Sequence, residues 1–248
     1  MILLKSLQEI AKMEVANRIV AEILEGLKEK VQPGIETREL DEAAEEMCRQ
    51  RRVQPAFKGY RGYPGSVCVS VNEEVVHGIP GPRRLKAGDL VSLDFGVKHD
   101  GYYGDAAITV PVGEVDPKAL ALMEATEKSL YAGIAMVKAG NHLSDISHAV
   151  QSVVEGAGFG VVRDFVGHGI GRSLHEDPQI PNFGPPGRGP ALQVGMTLAI
   201  EPMTALGSWQ VRVLKDGWTA VTQDGSCAAH FEHSVALTET GVLILSRL

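Results

Sequence analysis

A chain that repeats itself is constrained to fold as two like halves, and this one repeats where it is most polar. Residues 75–79 read Val-Val-His-Gly-Ile, and residues 166–170 read Val-Gly-His-Gly-Ile. The first is followed by Leu85-Lys-Ala-Gly-Asp-Leu-Val-Ser-Leu-Asp94, the second by Leu192-Gln-Val-Gly-Met-Thr-Leu-Ala-Ile-Glu201. In that register Leu85 meets Leu192, Gly88 meets Gly195 and Asp94 meets Glu201. Each half then offers a second acid at the head of an alternating run, Asp105 before Ala-Ala-Ile-Thr-Val and Glu232 before His-Ser-Val-Ala-Leu. Matching acids and a histidine in two halves point to a site shared between them.

The helical parts repeat more faintly. Ile10, Met13, Ala16, Val20, Ile23, Leu24 and Leu27 recur at helical spacing, predicting a helix over 3–30 that ends at Pro33-Gly34. Thr37 is expected to cap a second helix reaching Arg51. Asp116-Pro117 opens a third, running to about Lys138, and residues 144–157 form a fourth, stopped by Gly158. The Leu143, Ile146, Ala149 and Val150 face matches Thr37, Leu40, Ala43 and Ala44 at one constant offset.

Strands are expected at 66–71, 89–96, 106–112, 197–202, 209–214, 219–222 and 231–237, with hairpin turns at Asp100-Gly101 and Asp224-Gly225. The proline-rich stretch 172–190 occurs in the second half only and reads as a long ordered loop. Two rounds of helix, helix, strands predict one α+β domain over 1–248, with pseudo-symmetric halves of about 1–112 and 113–248. A curved antiparallel sheet would be backed by the helices.

Asp94 and Asp105 stand eleven residues apart across one predicted hairpin, so both can reach one face. Glu201 and Glu232 can do the same from the other half. An acid after a strand is most often a turn former, and for Asp94 alone that reading stands. Ile-Glu-Pro sets Glu201 in an apolar run, where an unpaired charge is costly. Four converging carboxylates repel unless cations neutralise them. With one imidazole they balance two divalent ions with a hydroxide between, and an oxygen-rich set with one nitrogen suits manganese, iron, cobalt or zinc; a lone histidine such as His168 is more often structural, though it echoes His77. By strand alternation, His230 and His233 are expected to point away from Glu232.

Bulk properties narrow the classes. The net charge of −7 argues against nucleic acid as a partner. Three cysteines without regular spacing argue against a disulfide framework and for a reducing, cytoplasmic setting. No stretch approaches a membrane span or a signal-peptide core.

Together the segments Ser-Val-Cys-Val-Ser-Val-Asn72, Val-His77-Gly-Ile-Pro, Ser-Leu-Asp94, Tyr-Gly-Asp105, Gly-His168-Gly-Ile-Gly, His175-Glu-Asp-Pro, Ile-Glu201-Pro and Phe-Glu232-His make the chain resemble the type I methionine aminopeptidases of the short bacterial kind, in subfamily A of peptidase family M24. The resemblance covers nearly the whole chain and implies the pita-bread fold. It implies that Asp94, Asp105, His168, Glu201 and Glu232 hold two metal ions, Asp105 and Glu232 bridging both. Glu201 becomes the proton shuttle, and His77 and His175 the groups that hold the substrate amide and the tetrahedral intermediate. The methionine pocket would be walled by Tyr60, Tyr63, Cys68 and Trp218. A monovalent cation near Asn72, nascent-chain N-termini as substrate, transient ribosome contact and a monomeric state follow from the same resemblance.

Two positions depart from the family pattern. Leu174 stands where an aromatic ring is common. Phe95-Gly96 follows Asp94 where a small β-branched hydroxyl residue is usual. The rival readings are an Xaa-Pro aminopeptidase or prolidase, a binding protein on the same fold, and a general metal-dependent hydrolase.

Overall fold

The computed structural model describes all 248 residues. Its first half runs α1 Leu7–Lys28, α2 Thr37–Arg51, β1 Gln54–Pro55, β2 Cys68–Val71, β3 Glu74–Val76, β4 Leu90–His99 and β5 Tyr102–Pro111. The second runs α3 Pro117–Ala135, α4 Leu143–Gly156, β6 Gly160–Val161, β7 Gly167–Gly169, β8 Glu176–Ile180, β9 Thr197–Ile200, β10 Met203–Ala205, β11 Val211–Val213, β12 Ala220–Thr222, β13 Ala228–His230, β14 Glu232–Thr238 and β15 Gly241–Ile244.

The duplication is visible in the main sheet. Its order is β1-β4-β5-β14-β9-β7-β8, with β2 also on β4 and β15 on β14, and every pair is antiparallel. The β5–β14 seam is therefore the pseudo-twofold: β4 on one side answers β9 on the other, and β2 answers β7. The backbone hydrogen bonds repeat as well. Gly34 N–H donates to the Leu85 carbonyl and Gly140 N–H to Leu192; Gly88 N–H donates to Val112 and Gly195 N–H to Leu237. Gly34, Gly88, Gly140 and Gly195 all sit at positive φ, which accounts for glycine at these points of the repeat.

The helices form for local reasons. Ser6 and Glu9 make a capping box at α1, Ser6 Oγ accepting from Glu9 N–H at 3.3 Å and the Glu9 carboxylate from Ser6 N–H at 2.9 Å. All seven predicted apolar positions of α1 are buried. The helix lies flush on β5: a Cβ at Gly104 would stand 2.7 Å from Asn17 N. Asp116 caps α3, accepting from Lys118 N–H at 2.7 Å, with Pro117 in the first turn. The core fills the space between helices and sheet in two large clusters, one per half, with Ile108 packed against both. No helix is long and apolar enough to cross a membrane.

Several expectations are corrected. Glu36, not Thr37, caps α2; the Thr37 hydroxyl instead accepts from Gly81 N–H at 2.8 Å and ties the helix to the loop beyond β3. His142 caps α4 in the matching place. The 172–190 stretch is not all loop, because β8 lies within it and pairs with β7. Asp224-Gly225 closes no hairpin: β12 pairs with β11 and β3, whereas β13 pairs with β10. Asp224 accepts from Ser208 N–H at 2.6 Å and Ser226 N–H at 3.0 Å, bracing a crossing between two small sheets.

Candidate metal centre and substrate pocket

In the β4–β5 register Asp94 opposes Ala107 and Gly96 opposes Asp105. Asp94 and Asp105 are thus diagonal neighbours on one face, as their spacing predicts. Across the seam Glu232 opposes Ala107 on β5, and His233 opposes Ile200 on β9, so Glu201 is the next residue beyond Ile200 on that side. His168 opposes Ala199. Two strand pairs and β7 therefore deliver four acids and an imidazole to one spot.

All eleven predicted site residues line one cavity of about 140 Å³: Asp94, Asp105, His168, Glu201 and Glu232 with His77 and His175, then Tyr60, Tyr63, Cys68 and Trp218. Asp105, His168 and Glu232 are each buried and offer ligand atoms within 4.8 Å of one another. His168 Nε2 is 3.5 Å from Glu201 Oε1 and 3.8 Å from Asp105 Oδ2. These are not salt bridges. Burial holds the His168 pKa down at about 4, so the ring is neutral at pH 7. Its Nδ1 lies 2.9 Å from the Gly169 carbonyl and donates there, which leaves a lone pair on Nε2 facing carboxylate oxygens.

The acids lack protein partners. Asp94 Oδ1, Asp105 Oδ1 and Glu232 Oε1 are buried without a hydrogen bond. Burial pushes Asp94 up to about 7, and it raises Asp105, Glu201 and Glu232 well above the carboxylate range, with the neighbouring acids adding to the rise. Orphaned carboxyl oxygens around a neutral imidazole lone pair are a donor set that fits divalent cations, whose charge would favour the ionised acids. Asn17, unmarked in the sequence, supports it from behind: its Oδ1 accepts from Asp105 N–H at 3.2 Å.

The two remaining histidines border this cluster, the His175 ring lying 4.2 Å from that of His168. His77 follows β3 at φ 60°, edge-on to Phe165 at 5.4 Å and to Trp218 at 6.3 Å. His175 stacks on Tyr60 at 5.3 Å, and its Nδ1 lies 2.9 Å from the Tyr60 hydroxyl. Burial, then His168, lowers its pKa to about 3, and burial also lowers that of His77. Both are neutral hydrogen-bonding groups at pH 7. His233 takes the reverse face of the sheet, bonded to Ser246 Oγ at 2.8 Å, and neither it nor His230 lines the cavity.

Tyr63, Cys68, Leu174, Ala56 and Phe57 form one apolar cluster, with Tyr60 and Trp218 packed against it. Phe57 and Arg61 complete the lining and escaped the sequence reading. Phe57 bears on both departures from the family pattern, packing close to Gly96 and sharing a cluster with Leu174. A Cβ at Gly96 would stand 3.0 Å from both the Phe57 ring and the Gly104 carbonyl oxygen, so glycine there leaves room for the ring and the neighbouring strand. Leu174 packs with the Phe57 ring in the same cluster. The only sequence signal was an apolar Ala56-Phe57 pair ahead of the glycine-rich loop.

The sequence model of metallopeptidase family M24 matches residues 11–239. The chain is similar to methionine aminopeptidase 1 of Bacillus subtilis, 54% identical over 248 residues and 100% of both chains. It is 52% identical to the methionine aminopeptidase of Clostridium perfringens over 99% of each. The crystal structure of methionine aminopeptidase from Thermotoga maritima matches with a TM-score of 0.98 at 51% identity, covering 100% of both chains. A prolidase from Pyrococcus furiosus, 22% identical with a TM-score of 0.81 over 65% of its own chain, shares the pita-bread fold. Matched from end to end by enzymes of one kind, the chain belongs to the methionine aminopeptidases of metallopeptidase family M24, in their short bacterial form.

Proposed function

We propose that this protein is a metal-dependent aminopeptidase that removes the initiator methionine from nascent proteins and peptides whose second residue is small. The observation that carries the reading is the cluster of orphaned carboxylate oxygens around the neutral His168 at the floor of an apolar cavity.

Asp94, Asp105, His168, Glu201 and Glu232 would hold two divalent ions, cobalt, manganese, iron or zinc. Bound there, the metals supply Lewis-acid polarisation of the scissile carbonyl and acidify water near neutral pH. Glu201 would take a proton from the attacking water and return it to the leaving amine. His77 and His175, neutral and bordering the acid cluster, hold the peptide amide and the developing oxyanion. Tyr60, Tyr63, Cys68 and Trp218, with Phe57 and Leu174, receive the methionine side chain, whose thioether prefers aromatic and polarisable walls. A monovalent cation near Asn72, transient ribosome contact, a monomeric state and a cytoplasmic location belong to the same reading.

The test is a peptide panel on protein stripped of metal and reloaded with manganese, iron(II), cobalt or zinc. Release of methionine from Met-Ala-Ser, with Met-Lys-Ser and Leu-Ala-Ser left whole, is the expected result. Cleavage of Ala-Pro-Ser would move the enzyme to the Xaa-Pro branch, and silence with every metal would overturn the reading.

A further inference from the structure

His175 sits near the start of a segment that the first half does not contain, so the doubled hydrogen-bond pattern cannot hold it. Something else must fix that turn. The structure places a buried ion pair there. Lys5 Nζ lies 2.5 Å from Glu176 Oε2, with only 5% and 8% of the two side chains exposed. Glu176 directly follows His175. Its other oxygen, Oε1, accepts from Ser173 N–H at 3.1 Å, so one carboxylate grips the turn on both sides of the imidazole.

The lysine is itself clamped. Its Nζ donates to the Leu3 carbonyl at 3.1 Å, and its main-chain N–H donates to the Gly195 carbonyl at 2.7 Å. The pair lies flat on Gly171, where a Cβ would stand 2.5 Å from Lys5 Cε and 2.7 Å from Glu176 Oε1. The Gly171 carbonyl accepts from Tyr103 N–H, two residues before Asp105 on β5. Glu176 also pairs with Gly169, beside His168. Lys5 and Glu176 therefore join the start of the chain to the turn bearing His175 and to the strands bearing Asp105 and His168. Neither lines the cavity.

We propose that the Lys5–Glu176 pair is a positioning device for His175, an inference that rests on the aminopeptidase reading above. Two charges out of water are costly to bury, and breaking such a pair strands the survivor, whereas neutralising both partners is tolerated. That asymmetry supplies the test. Wild type, Lys5→Met and the double variant Lys5→Met/Glu176→Gln are loaded with manganese and assayed for methionine release from Met-Ala-Ser. Bound metal and the urea unfolding midpoint are measured on the same samples.

Lys5→Met should lose kcat by about 10- to 100-fold, the cost of a displaced catalytic geometry, with KM and bound metal near wild type. The double variant should recover the unfolding midpoint, because no charge is left stranded, but not kcat, because the link from Lys5 to the His175 turn is still missing. Wild-type kcat in Lys5→Met with only the midpoint lowered would overturn the inference, as would a kcat loss matched by lost metal. A wild type silent on Met-Ala-Ser sinks the aminopeptidase reading and this inference with it. If Lys5→Met does not fold, Glu176→Gln, which keeps an acceptor for Ser173, is read by the same criteria.

Discussion

Asp94→Asn should make the metal-free protein more stable while ruining its metal site. In the folded chain, burial raises Asp94 from an ordinary 3.8 to about 7. A carboxyl whose folded pKa lies above its unfolded value binds its proton more tightly when folded. Its contribution is therefore lost as pH rises from about 4, and the loss is complete above about 7. At about 1.36 kcal/mol per pH unit, the raised Asp94 pKa costs the metal-free fold up to about 4 kcal/mol at pH 8 and less than half of that at pH 5. Asparagine has the same shape and no charge, so the variant escapes this cost. Comparing variant with wild type at each pH cancels the histidines, which titrate in both. The assay is urea unfolding in excess chelator at pH 5 and pH 8, repeated with saturating manganese. The stabilisation should be larger at pH 8, and manganese should reverse the order by favouring the charged wild-type carboxylate. Equal gains at both pH values, or no gain at pH 8, would refute the reasoning.

Glu201→Gln should cut turnover by about 10²- to 10⁴-fold, the usual worth of a positioned proton carrier, measured as methionine release under metal saturation. His77→Ala should lower kcat by about 10²- to 10³-fold and leave bound metal near wild type by elemental analysis; loss of metal would make His77 a ligand rather than a substrate group. Gly169→Ala would set a Cβ 2.1 Å from the Asp177 carbonyl oxygen, prising β8 from β7. It should cost about 1–3 kcal/mol in urea unfolding and lower metal affinity through His168.

The architecture was legible because duplication exposes it twice over. The Leu85–Asp94 and Leu192–Glu201 segments became β4 and β9, at matching places about the seam. Strong local signals also held, such as Asp100-Gly101, where both residues take positive φ between two ten-residue strands. What stayed hidden depends on distant packing. Asn17 looks like an ordinary helix polar residue until α1 is laid on Gly104, which brings its Oδ1 to the backbone of Asp105. Phe57 and Gly96 stand far apart in sequence, and only the fold shows that one fills the space the other leaves. Asp224-Gly225 misled because turn chemistry specifies a bend, not which sheet each flanking strand joins.

The departures from twofold symmetry lie where chemistry needs a direction. A symmetric site could bind two cations, but a peptide must lie across it one way round. The acids obey the repeat, Asp94 with Glu201 and Asp105 with Glu232. The histidines break it. His168 turns its Nε2 into the acid cluster, while its sequence counterpart His77 stands at positive φ against Phe165 and Trp218. His175 has no counterpart and comes from the inserted segment. So the acid cluster follows from duplication, and the histidines that border it follow from its loss. The half that diverged furthest also required a new anchor, and the Lys5–Glu176 pair, which no element of the first half reproduces, meets that need.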